Sequence, residues 1–282
     1  MSTTATACDT GGMGLRSSRS ASFAAFWALL LRDLRVLEKG FGVFAIRTIM
    51  QPLLLVFVFT YVFPKIGQGV GGSSAAESQF STLLMAGVVA TSMIFQGVQA
   101  VALPLVQEFG YTREIDDRVM APLPVWAVAV EKIAAGAIQA LIAGLVVFPL
   151  AEFIPASPVH LHVHWFYLLT IAPIGAVLSA SFGLTMGTRV KPRQVPLLFA
   201  IVVLPITFLG AVYYPWEALA PIKWLQISVL VNPLVYMCEG FRLSLTTSIT
   251  HMPVWAIYVA MLGFTSLLTW VGVDGFRRRV LS

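Results

Sequence analysis

Polar and ionisable residues are sparse in this sequence, and they form no catalytic set. The 282 residues contain no G-x-x-x-x-G-K-[ST] segment, so the chain lacks that type of nucleotide-binding loop. The ionisable residues inside apolar stretches are Arg47, Glu131 and Lys132, which lie near the stretch ends. We expect them to snorkel to the membrane interface, which disfavours a proton-coupled mechanism. The sequence therefore predicts a protein that is not an enzyme, and a transport function would have to draw its energy from elsewhere.

Two amides and one charged segment could still serve transport. Gln96 and Gln99 are three residues apart, so on a helix they share one face. Polar side chains in lipid favour a helix interface or a cavity. The segment EFGYTREIDDRVMAPLP, residues 108–124, mixes charges of both signs. It is either a solvated loop or a short helix that docks a soluble partner.

The segment HLHVH contains His160, His162 and His164. On a strand, alternation would place the three imidazoles on one face, as a metal ion could use. The nearest carboxylate along the chain is Glu152, and no cysteine completes a ligand set. We therefore expect an exposed, titratable loop and no metal site.

Composition places these residues in a membrane protein. The chain is 58% hydrophobic and 11% charged, with a mean hydropathy of +0.85, whereas soluble domains carry roughly 25% charged residues. No basic patch on a soluble fold is visible, so a nucleic-acid partner is not expected. Six stretches reach the roughly 20 apolar residues that span a bilayer. They are residues 43–63, 80–106, 125–150, 165–188, 194–214 and 254–275.

The remaining segments predict an all-α integral membrane protein with surface helices. Residues 1–21 are small, polar and typical of a disordered cytoplasmic tail. Residues 22–40 predict an amphipathic helix on the inner surface, and the charges of RDLRVLEK disfavour the alternative of a signal peptide. Before the last span, IKWLQISVLVNPLVYM is either a seventh span or two short helices joined at Asn232-Pro233. We favour two helices dipping into the outer leaflet, because proline breaks the run.

Positive charge orients the spans. Lys and Arg concentrate in the N-terminal region, in the loops after the second and fourth spans, and in the C-terminal tail. The alternate loops hold only Lys65, Lys223 and Arg242. By the positive-inside rule, a multi-pass protein with both termini in the cytoplasm is expected.

The order of these features resembles the ABC-2 family of permeases. The matching pieces are the amphipathic helix, the block EFGYTREIDDRVMAPLPVWAVAVEK after the second span, YYPWEALAPIKWL after the fifth, and NPLVYMCEGFR. The resemblance covers residues 22–282, nearly the whole chain, as one permease domain. It implies that these regions are the cytoplasmic connecting helix, the coupling helix and two external re-entrant helices.

The resemblance also implies roles for individual residues. A coupling helix would meet an ATPase subunit through Tyr111, Arg113, Glu114, Asp116, Asp117 and Arg118. A pathway between two permeases, along the second and fifth spans, would be lined by Met93, Phe95, Gln96, Gln99, Phe199, Thr207 and Phe208. The external helices would join at Asn232-Pro233 and carry Glu239 and Arg242, whose i,i+3 spacing allows either a surface pair or a gating pair.

Partners follow from the same resemblance. The permease would pair with a second, identical or homologous permease chain and with two copies of a separate ABC ATPase. ATP and magnesium would bind that ATPase, and this chain would bind no cofactor. The expected function is ATP-driven export of an amphipathic or lipid-linked substrate (a drug, lipid, glycolipid or polysaccharide) across the plasma or inner membrane. A non-transporting scaffold or assembly subunit is the alternative.

Overall fold

The computed structural model describes residues 18–66, 74–109, 123–153, 162–190, 194, 201, 204–247 and 249–281, and the described residues contain helices and no strand. Nine α-helices are labelled here in chain order. They are α1 (Ser18–Lys39), α2 (Phe41–Val56), α3 (Ser74–Gln107), α4 (Val125–Phe153), α5 (Trp165–Arg189), α6 (Leu204–Phe208), α7 (Lys223–Ser228), α8 (Pro233–Leu245) and α9 (Val254–Leu281). Helix α2 continues as a π-helix, Phe57–Val62, and a last α-helical turn, Phe63–Lys65. The predicted all-α class is confirmed.

Five helices are long and apolar enough to cross a membrane. They are Phe41–Lys65, Ala76–Gln107, Val125–Pro149, Trp165–Arg189 and Val254–Val280. These correspond to five of the six predicted spans. The other predicted span, residues 194–214, is described only at 194, 201 and 204–214, where the helix Leu204–Phe208 is followed by a turn, and it stays a prediction.

Helix α3 is the centre of the bundle and packs closely on α5. A Cβ atom added to Gly183 would lie 2.8 Å from the Val98 carbonyl oxygen, and one added to Gly97 would lie 3.1 Å from the Ala180 nitrogen. Glycine at these positions lets the two backbones approach, as small residues do between membrane helices. The contact fixes α3, which carries the pathway candidates Met93, Phe95, Gln96 and Gln99.

The two ends of the described chain meet at one end of this bundle. Asp33 of α1 binds Lys132, which also binds Glu108 after the last turn of α3. Arg279 of α9 stacks over the ring of Phe109, with its guanidinium carbon 4.7 Å from the ring centroid. Helix α9 therefore ends at the end of the bundle from which α2 starts.

Two described segments contact α3 at different levels. Gly187, near the end of α5, lies beside Ala102, a Cβ there being 3.2 Å from the Ala102 Cα, whereas the Val212 carbonyl lies directly against Gly87. Ala102 and Gly87 are both on α3, and fifteen residues of helix separate their levels by roughly 22 Å. This distance is shorter than the roughly 30 Å of a bilayer core, so the predicted crossing at residues 194–214 stays a prediction.

The predicted break at Asn232-Pro233 is present. Helix α7 and a 3-10 turn, Val229–Val231, end at Asn232, whose side chain accepts a hydrogen bond from the Leu234 amide and caps α8. Proline at the first position of a helix loses no hydrogen bond. The segment therefore forms two short helices, and their location in an outer leaflet stays a prediction.

The amphipathic helix is also present and starts earlier than expected. Helix α1 begins at Ser18, inside the predicted tail. Phe23, Trp27 and Leu31, spaced four apart, are exposed, while Leu30 is buried against the bundle. An exposed apolar stripe beside charged residues fits a helix lying in the interface, as predicted.

Candidate functional site

A cavity of about 630 Å³ lies between α1, α2, α3 and α4, near the end of α3. One wall is a single face of α1 and α2, with lining residues spaced three or four apart. These residues are Arg32, Val36, Gly40, Val43 and Arg47. The second wall is α3 from Gln96 to Glu108, and the third is α4 from Lys132 to Gln139. The cavity therefore extends from the bundle interior to the end where the two chain termini meet.

Polar side chains line much of this cavity. They are Arg32, Asp33, Arg47, Gln96, Gln99, Gln107, Glu108, Lys132 and Gln139. The remaining lining is apolar, including Val43, Phe44, Leu103 and Pro104. A concave surface that combines apolar walls with a few placed polar groups is the usual form of a ligand site.

An amide network closes the inner part of the cavity. Thr48 donates from its hydroxyl to Gln96 Oε1 at 3.3 Å, and Gln96 Nε2 donates to Gln139 Oε1 at 3.4 Å. The network links α2, α3 and α4, and it leaves Gln96 buried while Gln99 stays half-buried. The expectation that both amides face a cavity or helix interface is met, because Gln96 has helix partners and both residues line the cavity.

A buried lysine closes the outer part of the cavity. Lys132 Nζ lies 2.9 Å from Asp33 Oδ2 and 2.8 Å from Glu108 Oε1, and the lysine is 4% exposed. Glu131, the preceding residue of α4, is fully buried. The expectation that Glu131 and Lys132 snorkel to the interface is therefore wrong. Burying the ammonium group is compensated by two carboxylates, which are distant along the chain and therefore invisible in local sequence.

The other pathway candidates that the structure describes are not among the residues lining this cavity. Met93 is buried, with its Cγ atom 2.9 Å from where a Cβ of Gly144 would lie. Phe95 is half-buried, Thr207 is buried, and Phe208 is exposed with its ring 6.4 Å from that of Tyr213. Phe199 lies outside the described residues. A common pathway role for these residues stays a prediction.

The predicted docking segment is described only at its edges. Tyr111, Arg113, Glu114, Asp116, Asp117 and Arg118 all lie outside the described residues. On one side of them, Glu108 binds Lys132 and the ring of Phe109 packs against Phe276 at 5.7 Å between centroids. On the other side, Leu123 packs on the core just before α4 begins. Both edges are thus anchored to the bundle beside the cavity.

A second buried ion pair lies toward the other end of the bundle. Arg242 Nη1 donates to Glu239 Oε1 at 2.7 Å, and both residues are fully buried. Glu239 also accepts hydrogen bonds from the backbone amides of Trp216 and Met252. Arg242 Nη2 donates to the Ala211 carbonyl. The i,i+3 pair expected from sequence is present, and the alternative that it lies on the surface is wrong.

The histidine segment has a structural role that its sequence did not indicate. The backbone amides of His162 and His164 donate to the carbonyls of Leu245 and Ser244, at 3.0 and 2.8 Å. These acceptors are in the last turn of α8, whose carbonyls have no partner within the helix. Both imidazoles are exposed, as expected of a surface loop, and His160 lies outside the described residues. Among the described residues no group of three or more His, Cys, Asp or Glu could hold a metal ion.

Several apolar spanning helices around a polar cavity define a multi-pass membrane protein of the transport permease class. Residues 24–246 match the ABC-2 type transporter family, and the chain belongs to that family. It is similar to the inner membrane transport permease YadH of Escherichia coli strain K12, with 27% identity over 201 residues, covering 70% of this chain and 75% of YadH. The YadH proteins of Escherichia coli O157:H7 and Shigella flexneri match to the same extent.

Proposed function

We propose that this chain is the permease subunit of an ATP-driven exporter in the inner membrane, moving an amphipathic or lipid-linked substrate outward. The observation that carries the proposal is the family match over residues 24–246, joined to a polar cavity beside the predicted docking segment. The relative YadH is named an inner membrane transport permease, which supports the location. Direction and substrate class rest on the family resemblance.

The energy would come from a separate ATPase subunit. The sequence has no G-x-x-x-x-G-K-[ST] loop, so ATP and magnesium would be bound by the partner. Two ATPase copies would bind a pair of permease chains, each through residues 108–124. The contacts at both edges of that segment support this arrangement. A movement of the segment would be transmitted to α3 and α4 through the ion pair between Glu108 and Lys132.

Charge reversal in the docking segment tests the proposal. Asp116→Lys with Asp117→Lys should weaken copurification of the P-loop ATPase, in a graded and salt-dependent way, because peripheral charges mainly affect association. Membrane insertion should not change. The matched control is Glu38→Lys, an exposed carboxylate on α1. Unchanged pull-down at both low and moderate salt would contradict the docking assignment.

A non-transporting scaffold is the second candidate, since an assembly subunit could share the same fold and partner. Purified complex in proteoliposomes separates the two functions. A transporter should show ATP-dependent movement of a fluorescent amphiphile across the bilayer, abolished by a Walker-motif variant of the ATPase. A scaffold should assemble with the ATPase and move no amphiphile under the same conditions.

A further inference from the structure

The cavity between α1, α2, α3 and α4 has more cations than anions among its described lining residues. Its walls carry three cations, Arg32, Arg47 and Lys132, and two anions, Asp33 and Glu108. Lys132 is bound between the two carboxylates. Arg47 forms no hydrogen bond or ion pair with any residue in the described part of the chain, and it lines the cavity. A guanidinium on an apolar helix needs an anionic or strongly polar partner.

A second polar group, the Gln99 amide, faces the same space and has no hydrogen-bond partner in the described part of the chain. Gln99 lines the cavity one turn from Gln96, and unlike Gln96 it makes no hydrogen bond to the described residues. Its amide can donate two hydrogen bonds. Arg47 and Gln99 thus present donors from opposite walls, α2 and α3, to whatever occupies the space between them.

The depth and the apolar lining indicate which anion fits. The apolar span begins at Phe41, and Arg47 lies roughly 9 Å along the helix from it. In a span that enters the membrane at Phe41, this depth corresponds to the boundary between headgroups and acyl chains. Val43, Phe44 and Leu103 line the cavity next to the charged groups. An inorganic anion would leave these apolar walls without a partner, whereas an amphiphile would cover them with hydrocarbon.

We propose that this cavity binds the phosphate-bearing headgroup of an anionic amphiphile, with Arg47 as the counter-charge and Gln99 as a second donor. Arginine suits this role because its planar group can bind a phosphate through two parallel hydrogen bonds. The identification of the amphiphile as cargo rests on the proposed function, and it narrows that function to anionic substrates. The binding itself requires neither the ATPase nor transport.

Binding to the purified full-length permease, without the ATPase, tests the site. Native mass spectrometry would follow the first bound lipid as the protein is titrated with dioleoyl phosphatidylglycerol or dioleoyl phosphatidylcholine. We expect phosphatidylglycerol to bind at least tenfold more tightly than phosphatidylcholine. Arg47→Gln should lower its affinity about tenfold, the usual scale for one charge-assisted contact, and Arg47→Lys should recover part of the loss. Gln99→Leu should lower affinity by a smaller factor.

The matched control is Arg277→Gln, which removes an exposed arginine from the last turns of α9 at the same end of the bundle. If Arg277→Gln lowered phosphatidylglycerol binding as much as Arg47→Gln does, Arg47 would only contact bulk headgroups and the proposal would fail. Equal affinity for the two lipids would also overturn it. Displacement of the bound lipid by inorganic phosphate at the same concentration as the lipid would overturn it as well. Selective binding with no ATP-driven movement in proteoliposomes would support the site while contradicting the exporter function.

Discussion

Arg242 and Glu239 form a fully buried ion pair that joins three separate segments of the chain. Nη1 of the arginine lies 2.7 Å from Oε1 of the glutamate. Through the glutamate the pair binds the backbone of Trp216 and Met252, and through the arginine it binds the carbonyl of Ala211. Ala211 has a φ of 55°, a left-handed conformation that is unfavourable for alanine. The pair thus holds together the turn around Ala211 and Trp216, helix α8, and the residue Met252 just before α9.

Removing one partner should destabilise the protein strongly. Arg242→Met leaves the Glu239 carboxylate buried without its cation, and breaking a buried pair in this way costs about 3–5 kcal/mol. We expect a large fall in the melting temperature of the detergent-solubilised protein. Arg277→Met, which removes an exposed arginine, should leave the melting temperature nearly unchanged.

The double variant Arg242→Met with Glu239→Gln should lose less stability than the sum of the two single variants, because neither charge is then left alone. It should not recover fully, since one of the backbone amides that the carboxylate accepts from would face an amide nitrogen. Strict additivity of the two losses would show that the residues do not act as a pair.

Lys132 should be needed to hold Glu108, at the start of the predicted docking segment, against the amphipathic helix α1. Lys132→Met removes the cation that binds both Asp33 and Glu108, so two neighbouring carboxylates lose a shared counter-charge inside the bundle. We expect a lower melting temperature and faster proteolysis within residues 108–124. Asp33→Asn should have a smaller effect, because the closer and more buried pair with Glu108 survives. Equal effects of the two substitutions would show that Glu108 is not the principal partner.

Sequence predicts the elements of this fold better than the contacts between them. The lengths of the apolar runs locate five spans, and Asn232-Pro233 marks the break before α8, because both signals are local. The partners of Lys132 are 24 and 99 residues away, so snorkelling was the natural but wrong expectation. The i,i+3 spacing of Glu239 and Arg242 predicted their ion pair. Their burial could not be predicted, because it depends on segments that meet only in the folded chain.

Cys238 should be inert toward soluble thiol reagents in the folded protein. It is fully buried in α8, and burial raises the pKa of its thiol to about 12, with Arg242 lowering and Glu239 raising the pKa to smaller extents. At pH 8 only about one thiol in 10,000 would be ionised, and the thiolate is the reactive form. Mass spectrometry should show no maleimide adduct at Cys238 until detergent denaturation. Trp224→Cys, at a position that is 71% exposed, is the reactive control.

Topology reporters should find both ends of the chain on the cytoplasmic side. A reporter fused after Ser282 should be cytoplasmic, and one inserted near Gly71 should be external. The basis is the Lys and Arg distribution, together with the meeting of α1 and α9 at one end of the bundle. An external signal from the C-terminal fusion would contradict the six-span topology and favour residues 222–237 as a crossing.

Cysteine labelling at Gln96 and Gln99 should separate a pathway from ordinary helix packing. Gln96 is buried and forms hydrogen bonds with Thr48 and Gln139, whereas Gln99 lines the cavity and has no such partners among the described residues. In the resting permease, Gln99→Cys should therefore react with a soluble thiol reagent faster than Gln96→Cys. If α3 lines a pathway between two permeases, the reaction at position 96 should accelerate when the ATPase is bound and cycling.

The paired substitution Gln96→Leu with Gln99→Leu then distinguishes the two roles. Loss of transport at normal levels of assembled complex is the result expected of pathway residues. Equal loss of assembly and transport would assign both amides to packing between α2, α3 and α4, because leucine cannot replace the hydrogen bonds to Thr48 and Gln139. Slow labelling of Gln96→Cys in every state would agree with that packing role and contradict the pathway.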